Sequence, residues 1–191
     1  KIGLPTDLAE IRNDDAKLQK WTAFKTQTID SFALDLAQKV RYYQPFLLTA
    51  RNLYAQVALS AYSENWYAQS LEQSIKNYDF TAIMAMPYME QAENPDEWLA
   101  RLAEDSLAQV PANRLVFELQ SRNWRTDQPI PDAELARWME IIQRKGVTNF
   151  GYYPDDFHNN QPDPAVLKPV FSVQTQPQPT QLPAPDRKSV V

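Results

Sequence analysis

The chain has 191 residues, 43% hydrophobic and 23% charged, with 19 Lys and Arg against 24 Asp and Glu, for a net charge of −5. This is the length of one domain with enough apolar side chains for a core; the acidic balance speaks against a nucleic-acid partner, whose phosphates want a basic surface. Cysteine is absent and His158 is the lone histidine, which excludes disulfides, thiol catalysis, thiolate-bound zinc and a multi-histidine metal site within this chain, and leaves a Ser-His-Asp arrangement open. The chain begins at Lys1 without a signal-peptide pattern and is expected to be a piece of a longer protein. Its three glycines, Gly3, Gly146 and Gly151, cannot form a glycine-rich phosphate loop. A mean hydropathy of −0.54 and the lack of a long uncharged apolar run argue against a membrane span.

The spacing predicts a first helix over 14–43, with Leu18, Trp21, Ile29, Phe32, Leu36 and Val40 on its inner face. Pro45 ends it, and Phe46-Leu47-Leu48-Thr49-Ala50 reads as a short strand ending at Arg51-Asn52. A second helix is expected to start at Ser63, with Tyr67, Leu71 and Ile75 along one side. The near-continuous apolar run 79–86 suits a strand covered on both faces. Asn94-Pro95-Asp96-Glu97 is a strong helix start, with a capping Asn and a proline in the first turn. Strand 114–119 follows, then a helix opened by Pro131-Asp132 with Leu135, Trp138, Met139 and Ile142 inward, and Gly146 at its left-handed C-terminal cap. Strand 147–153 is the fourth.

Strands alternating with helices imply an α/β protein with a parallel sheet. An open doubly wound sheet and a (β/α) barrel both fit. A barrel needs at least about 200 residues, so the barrel alternative would be the C-terminal half of one, with about four parallel strands. Seven of the fifteen prolines lie between Pro162 and Pro185, and from 174 onward the Pro/Gln-rich sequence is expected to be a disordered tail. The domain is therefore placed at 1–173 and the tail at 174–191.

In parallel α/β folds ligands meet the carboxyl ends of the strands. Here those ends carry Arg51-Asn52, then Pro87-Tyr88-Met89-Glu90, then Glu118 with Gln120, Asn123 and Trp124, and finally Tyr152-Tyr153-Pro154-Asp155-Asp156. Carboxylates, amides and rings together are the inventory of a sugar site: carboxylates do acid and base work on a glycosidic bond, amides bind hydroxyls and rings stack on a pyranose. Glu118, inside an apolar strand, must face a polar cavity or pair with a cation such as Arg51. Trp124 lies in a polar stretch and reads as a ligand contact. Tyr152 and Tyr153 point to opposite faces, so at most one lines a site. Asp155-Asp156 reads as a turn or cap, His158 as a surface loop residue, and Trp21, Trp66, Trp98 and Trp138 as core.

The segments Thr49-Ala50-Arg51-Asn52, Tyr78-Asp79, Ala82-Ile83-Met84-Ala85-Met86-Pro87-Tyr88, Glu118-Leu119-Gln120 with Asn123-Trp124, and Gly151-Tyr152-Tyr153-Pro154-Asp155 resemble the C-terminal domain of the PgaB-type poly-β-1,6-N-acetyl-D-glucosamine N-deacetylases. The resemblance covers essentially 1–173. It implies a two-domain, periplasmic enzyme associated with the outer membrane. Its N-terminal domain would be a metal-dependent deacetylase, and its C-terminal (β/α) barrel an endo-glycoside hydrolase that binds partly deacetylated polymer. An outer-membrane export porin is an implied partner. The divalent metal would belong to the deacetylase domain, and no cofactor is expected in this chain. The family's catalytic aspartate belongs to a motif upstream of this chain's first residue, and Asp14-Asp15 does not fit that motif, so this chain alone is expected to be inactive. By position, Trp124 and Tyr153 would contact sugar, with Tyr88, Glu118 and Asn123 as groove residues. An acidic groove suits a polymer bearing ammonium groups. A polysaccharide-binding module without cleavage and an unrelated parallel α/β enzyme are the competing readings.

Overall fold

The computed structural model describes residues 8–171, so the expected tail at 174–191 lies outside the described residues. A short helix α1 (Leu8–Arg12) precedes the long α2 (Asp15–Tyr43). Asp14 caps α2 by accepting a hydrogen bond from the Lys17 amide, filling one of the amides that a helix start leaves unpaired. Then come β1 (Ala50–Tyr54), α3 (Ala55–Leu59), α4 (Glu64–Tyr67), α5 (Leu71–Asn77), β2 (Phe80–Ala85), α6 (Pro95–Leu107), β3 (Leu115–Gln120), the small hairpin strands β4 (Arg122–Asn123) and β5 (Gln128–Pro129), α7 (Asp132–Arg144), β6 (Asn149–Tyr153) and α8 (Pro164–Phe171).

The main sheet has the order β1-β2-β3-β6, and every pairing is parallel. Strand order follows chain order without reversal. Alternate residues on one face (Leu53, Ile83, Ala85, Phe117, Leu119) are buried with the inward faces of α6 and α7, Leu99, Leu102, Leu135, Trp138 and Ile142 among them. On the other face Ala82, Met84, Val116 and Glu118 are only partly buried, and Gln120 at the end of β3 is fully buried. Helices on one face with sequential strands are the arrangement of a (β/α) barrel, whereas a doubly wound sheet reverses its order and carries helices on both faces. The run 79–86 is thus covered by helices on one face rather than two.

Two helix boundaries were legible for a clear reason. Asn94 Oδ1 accepts from the Glu97 amide at the start of α6. After α7, Gly146 adopts φ +104°, a conformation that L side chains rarely take, and the Val147 amide reaches the Ile142 carbonyl to close the helix end.

Four expectations are corrected. The first strand lies at Ala50–Tyr54 rather than 46–50. Phe46 is 88% exposed in a turn after α2, and pairing begins only where Asp79 Oδ2 accepts from the Thr49 amide and hydroxyl and from Arg41. The helix expected from Ser63 is a single turn, α4. It stops at Ala68 in the left-handed region (φ 50°), and α5 starts afresh with Ser70 capping the Gln73 amide. The face of α2 is reversed: Ile29, Phe32, Leu36 and Val40 are exposed, while Thr26 and Asp30 are buried. Arg51 points from β1 toward the helices, where a guanidinium needs a carboxylate, and Asp30 supplies it at 3.7 Å. Trp66 is exposed, with the Arg12 guanidinium 5.4 Å from its ring centroid; Trp138 is fully buried as expected.

Candidate functional site

The carboxyl ends of the four strands are joined by side chains from the end of β3. Gln120, fully buried, accepts from the amides of Tyr88 (2.9 Å) and Met89 (3.2 Å) and donates to the Arg122 carbonyl (2.7 Å). It thereby ties the loop after β2 to the hairpin after β3. The Ser121 hydroxyl donates to the Pro154 carbonyl, and the Ser121 amide to the Tyr153 carbonyl at 3.0 Å, which ties β3 to the segment after β6. Gln161 Nε2 adds a bond to the Ile130 carbonyl.

On this braced rim the β4–β5 hairpin presents Trp124. The hairpin turn is held by the Asp127 amide on the Asn123 carbonyl (2.8 Å), the Arg125 amide on Asn123 Oδ1 (3.0 Å) and Arg122 Nε on Asp127 (2.6 Å). The Arg122 hydrogen bond holds the Asp127 carboxyl below its usual range. Trp124 is 42% and Tyr153 56% exposed, and their ring centroids lie 5.8 Å apart at 34°. The structure therefore brings these two candidate residues together as one exposed aromatic pair.

The other three candidates are placed differently. Glu118 lies on the open sheet face in register with Met84 and Gly151, and its Oε2 accepts from Asn52 Nδ2 at 2.7 Å. Its neighbour is thus an amide from mid-β1 and not Arg51, which is occupied with Asp30 behind the sheet. A Cβ added at Gly151 would meet nothing within 4 Å, so the surface beside Glu118 is open. Asn123 commits its Oδ1 to the hairpin turn. The Tyr88 hydroxyl donates to Glu134 of α7 at 2.6 Å, and its ring meets Trp138 edge-on at 5.4 Å. That hydrogen bond, with burial and the Glu134 charge, pushes the Tyr88 hydroxyl up to about 12. Tyr88 is not brought to the Trp124–Tyr153 pair by any hydrogen bond or ring contact among the described residues.

Of the paired tyrosines, Tyr152 is partly buried against Phe171, 6.3 Å between centroids, and Tyr153 is the exposed one. Asp156 accepts from the amides of His158 and Asn159 and from Asn159 Nδ2, a turn as expected, and these bonds hold its carboxyl low. Among the described residues no cluster of three His, Cys, Asp or Glu is placed to hold a metal ion. Sequence reasoning missed Asn52 as the partner of Glu118 and Gln120 as the brace. The signal for Asn52 was strand alternation, hidden by misplacing β1 four residues early.

The exposed ring pair and the open-face Glu118 carboxylate thus both lie toward the carboxyl ends of the parallel strands, where ligands meet barrel-type folds. The model of hypothetical glycosyl hydrolase family 13 matches residues 1–153. The chain belongs to this family. It is 37% identical over 180 residues to the poly-β-1,6-N-acetyl-D-glucosamine N-deacetylase of Escherichia coli K12, and to that of strain O157:H7, over 90% of this chain and 27% of each relative. The solved glycoside hydrolase domain of PgaB (BpsB) from Bordetella bronchiseptica superposes with a TM-score of 0.81 at 43% identity, over 91% of this chain and 50% of that one. The chain thus spans about a quarter of the curated relatives' length and half of the solved domain's. Membership of a glycosyl hydrolase family makes this a hydrolase-type chain whose relatives include a polysaccharide deacetylase.

Proposed function

We propose that this chain forms the part of a glycoside hydrolase domain that holds partly deacetylated poly-β-1,6-N-acetyl-D-glucosamine. The observation that carries the reading is the Trp124–Tyr153 pair: two half-exposed rings 5.8 Å apart on a hydrogen-bonded rim. Flat rings fixed in this way offer a stacking surface at low entropic cost. Glu118 and Asn52 on the open face add a carboxylate and an amide for hydroxyl or ammonium groups. Hydrolysis requires a second carboxylate about 5–9.5 Å from the first, and in the longer protein it comes from outside this chain. The names of the relatives and the acidic net charge support the polymer as ligand. The periplasm, attachment to the outer membrane, a deacetylase domain with its divalent metal and an export porin partner belong to the same proposal for the longer protein.

The test is calorimetric titration of the full chain with β-1,6-linked glucosamine oligomers of defined acetylation, with β-1,4-linked oligomers as control. Saturable binding of the β-1,6 series and no new reducing ends is the expected result. No binding of either series refutes the groove, and release of reducing ends by the pure chain refutes the outside carboxylate.

A further inference from the structure

Helix α2 is held to the body by polar contacts, and its large apolar side chains lie on a different face. Thr26 and Asp30 are its buried residues. The Thr22 hydroxyl donates to Asn65 Oδ1 (2.6 Å), Lys25 Nζ to the Asn65 carbonyl (2.7 Å) and Arg41 to Asp79 Oδ2 (2.8 Å). Ile29, Phe32, Leu36, Val40 and Tyr43 are between 42% and 78% exposed. Their spacing of three, four, four and three residues sets them in one stripe, about 21 Å long at the rise of a helix. Phe46 and Leu47, in the turn after α2, are exposed as well. At about 200 Å² for a large side chain when fully exposed, these residues present on the order of 800 Å². The largest apolar patch of a typical monomer is about 300–600 Å², and one side of a stable protein interface is about 800 Å².

The stripe selects its partner. Its spacing reads the same in both directions from Leu36. Two copies packed antiparallel would set Leu36 against Leu36, Phe32 against Val40 and Ile29 against Tyr43, the self-complementarity that a two-fold interface requires. Asp35 and Lys39 are exposed on one flank of the stripe, and among the described residues neither forms an ion pair. In an antiparallel pair like flanks meet, which brings Asp35 of each copy beside Lys39 of the other, as flanking charges do in paired helices. A lipid surface fits less well, because Asp35 stands beside the middle of the stripe and the chain carries −5. We propose that this face docks a second copy of the chain, as an antiparallel α2–α2 dimer centred on Leu36. The first half of α2 meets Asn65, which follows β1, and Arg41 meets Asp79, which precedes β2, so α2 runs against the strands. The dimer therefore sets its two strand-end rims at opposite ends, both open, and does not depend on what they bind.

The experiment is sedimentation velocity of the full chain over a concentration series, with circular dichroism of each variant. A reversible species of twice the 22.0 kDa chain mass is expected, its share rising with concentration. Leu36→Glu, at an exposed position, sets like charges on the two-fold axis and is expected to weaken the dimer at least about a hundredfold, with the parent's dichroism. Asp35→Lys and Lys39→Asp are each expected to weaken it about fivefold, and the double variant to restore it, a rescue that unspecific sticking does not give. Phe157→Glu, at an 84% exposed apolar side chain after β6, is expected to leave the dimer unchanged. If Leu36→Glu does not fold, the charge swap carries the test. A monomer throughout the series would overturn the proposal, and flotation of that monomer with phosphatidylglycerol vesicles would assign the face to lipid instead. Open-ended association, a dimer that survives Leu36→Glu or is lost in Phe157→Glu, or a charge swap without rescue would overturn it too.

Discussion

Two tryptophans separate recognition from packing. Trp138 is fully buried in α7 among core side chains, with Tyr88 edge-on at 5.4 Å. Trp138→Ala removes the whole indole, for about 3–5 kcal/mol of stability. Its Nε1 makes no hydrogen bond, so no polar contribution is lost with it. At roughly 2–4 °C per kcal/mol for a chain of this size, the melting temperature should fall by about 6–20 °C. Trp124 is 42% exposed at a hairpin turn. Its truncation should cost less than about 1 kcal/mol of stability, because it lies outside the hydrophobic core cluster. Its stacking area toward a sugar is worth about 1–3 kcal/mol, or about fivefold to 150-fold in Kd. The assay pairs a thermal melt with calorimetric titration of a partly deacetylated β-1,6 oligomer for both variants. Trp124→Ala should bind weakly and melt normally, and Trp138→Ala the reverse until folding fails. If Trp124→Ala melts much earlier and binds normally, the ring is structural and the groove is misplaced.

The Tyr88–Glu134 hydrogen bond predicts an alkaline limb. An unfolded tyrosine ionises near 10, whereas Tyr88 holds its proton to about 12, so its contribution is intact below pH 10 and is lost as pH rises through about 12. Tyr88→Phe should cost about 1.5 kcal/mol at neutral pH and flatten the stability slope between those values, measured by urea melts in a pH series; an unchanged slope would contradict the assignment. Gln120→Leu leaves the Tyr88 and Met89 amides unpaired and should destabilise by about 2–4 kcal/mol; a shift below about 1 kcal/mol in a denaturant melt would mean that the rim is not braced there. Gln69 Oε1 accepts from the Tyr54 amide and its Nε2 donates to the Asn52 carbonyl, capping the free edge of β1. Gln69→Leu should therefore raise self-association in light scattering, and a scattering profile matching the parent's would show that this edge is protected by other means.

The sheet and its helices were legible wherever local chemistry and burial agreed. Asn94-Pro95, Gly146 and the apolar runs of β2 and β3 each carried a signal that tertiary packing left in force. Helix α2 misled because its apolar stripe and its buried face are different faces. Hydrophobic periodicity reports which residues prefer burial, whereas Arg51 and Asp30 decide the orientation of α2 through a charge pair that no periodicity records. Strand β1 was displaced by the same cause: Phe46-Leu47-Leu48 has the composition of a strand, but Asp79 sets the register from thirty residues away through Thr49. The candidate site was placed at these strand ends because they are polar after apolar runs. Its partition was not legible: alternation put Tyr153 and Glu118 on the open face, but Tyr88 follows β2 in a loop, where Gln120 fixes the backbone and Glu134 claims the hydroxyl.

Gln120 and Glu118 show how one strand divides stability from recognition. They are two residues apart in β3 and therefore share a face of the sheet. At the strand end Gln120 is closed over by the loops it holds, and its amide makes three hydrogen bonds, all to backbone. One step lower, Glu118 has a single amide partner and a glycine beside it in register. The first side chain fixes the loops so that the second, and the two rings of the rim, face an open surface in a set geometry. A binding surface with its loops ordered in advance loses less entropy when a flexible polymer settles on it. The same reasoning explains why the rings can stay half exposed: the rim's rigidity comes from Gln120 and Ser121, so Trp124 and Tyr153 are not needed to hold it together.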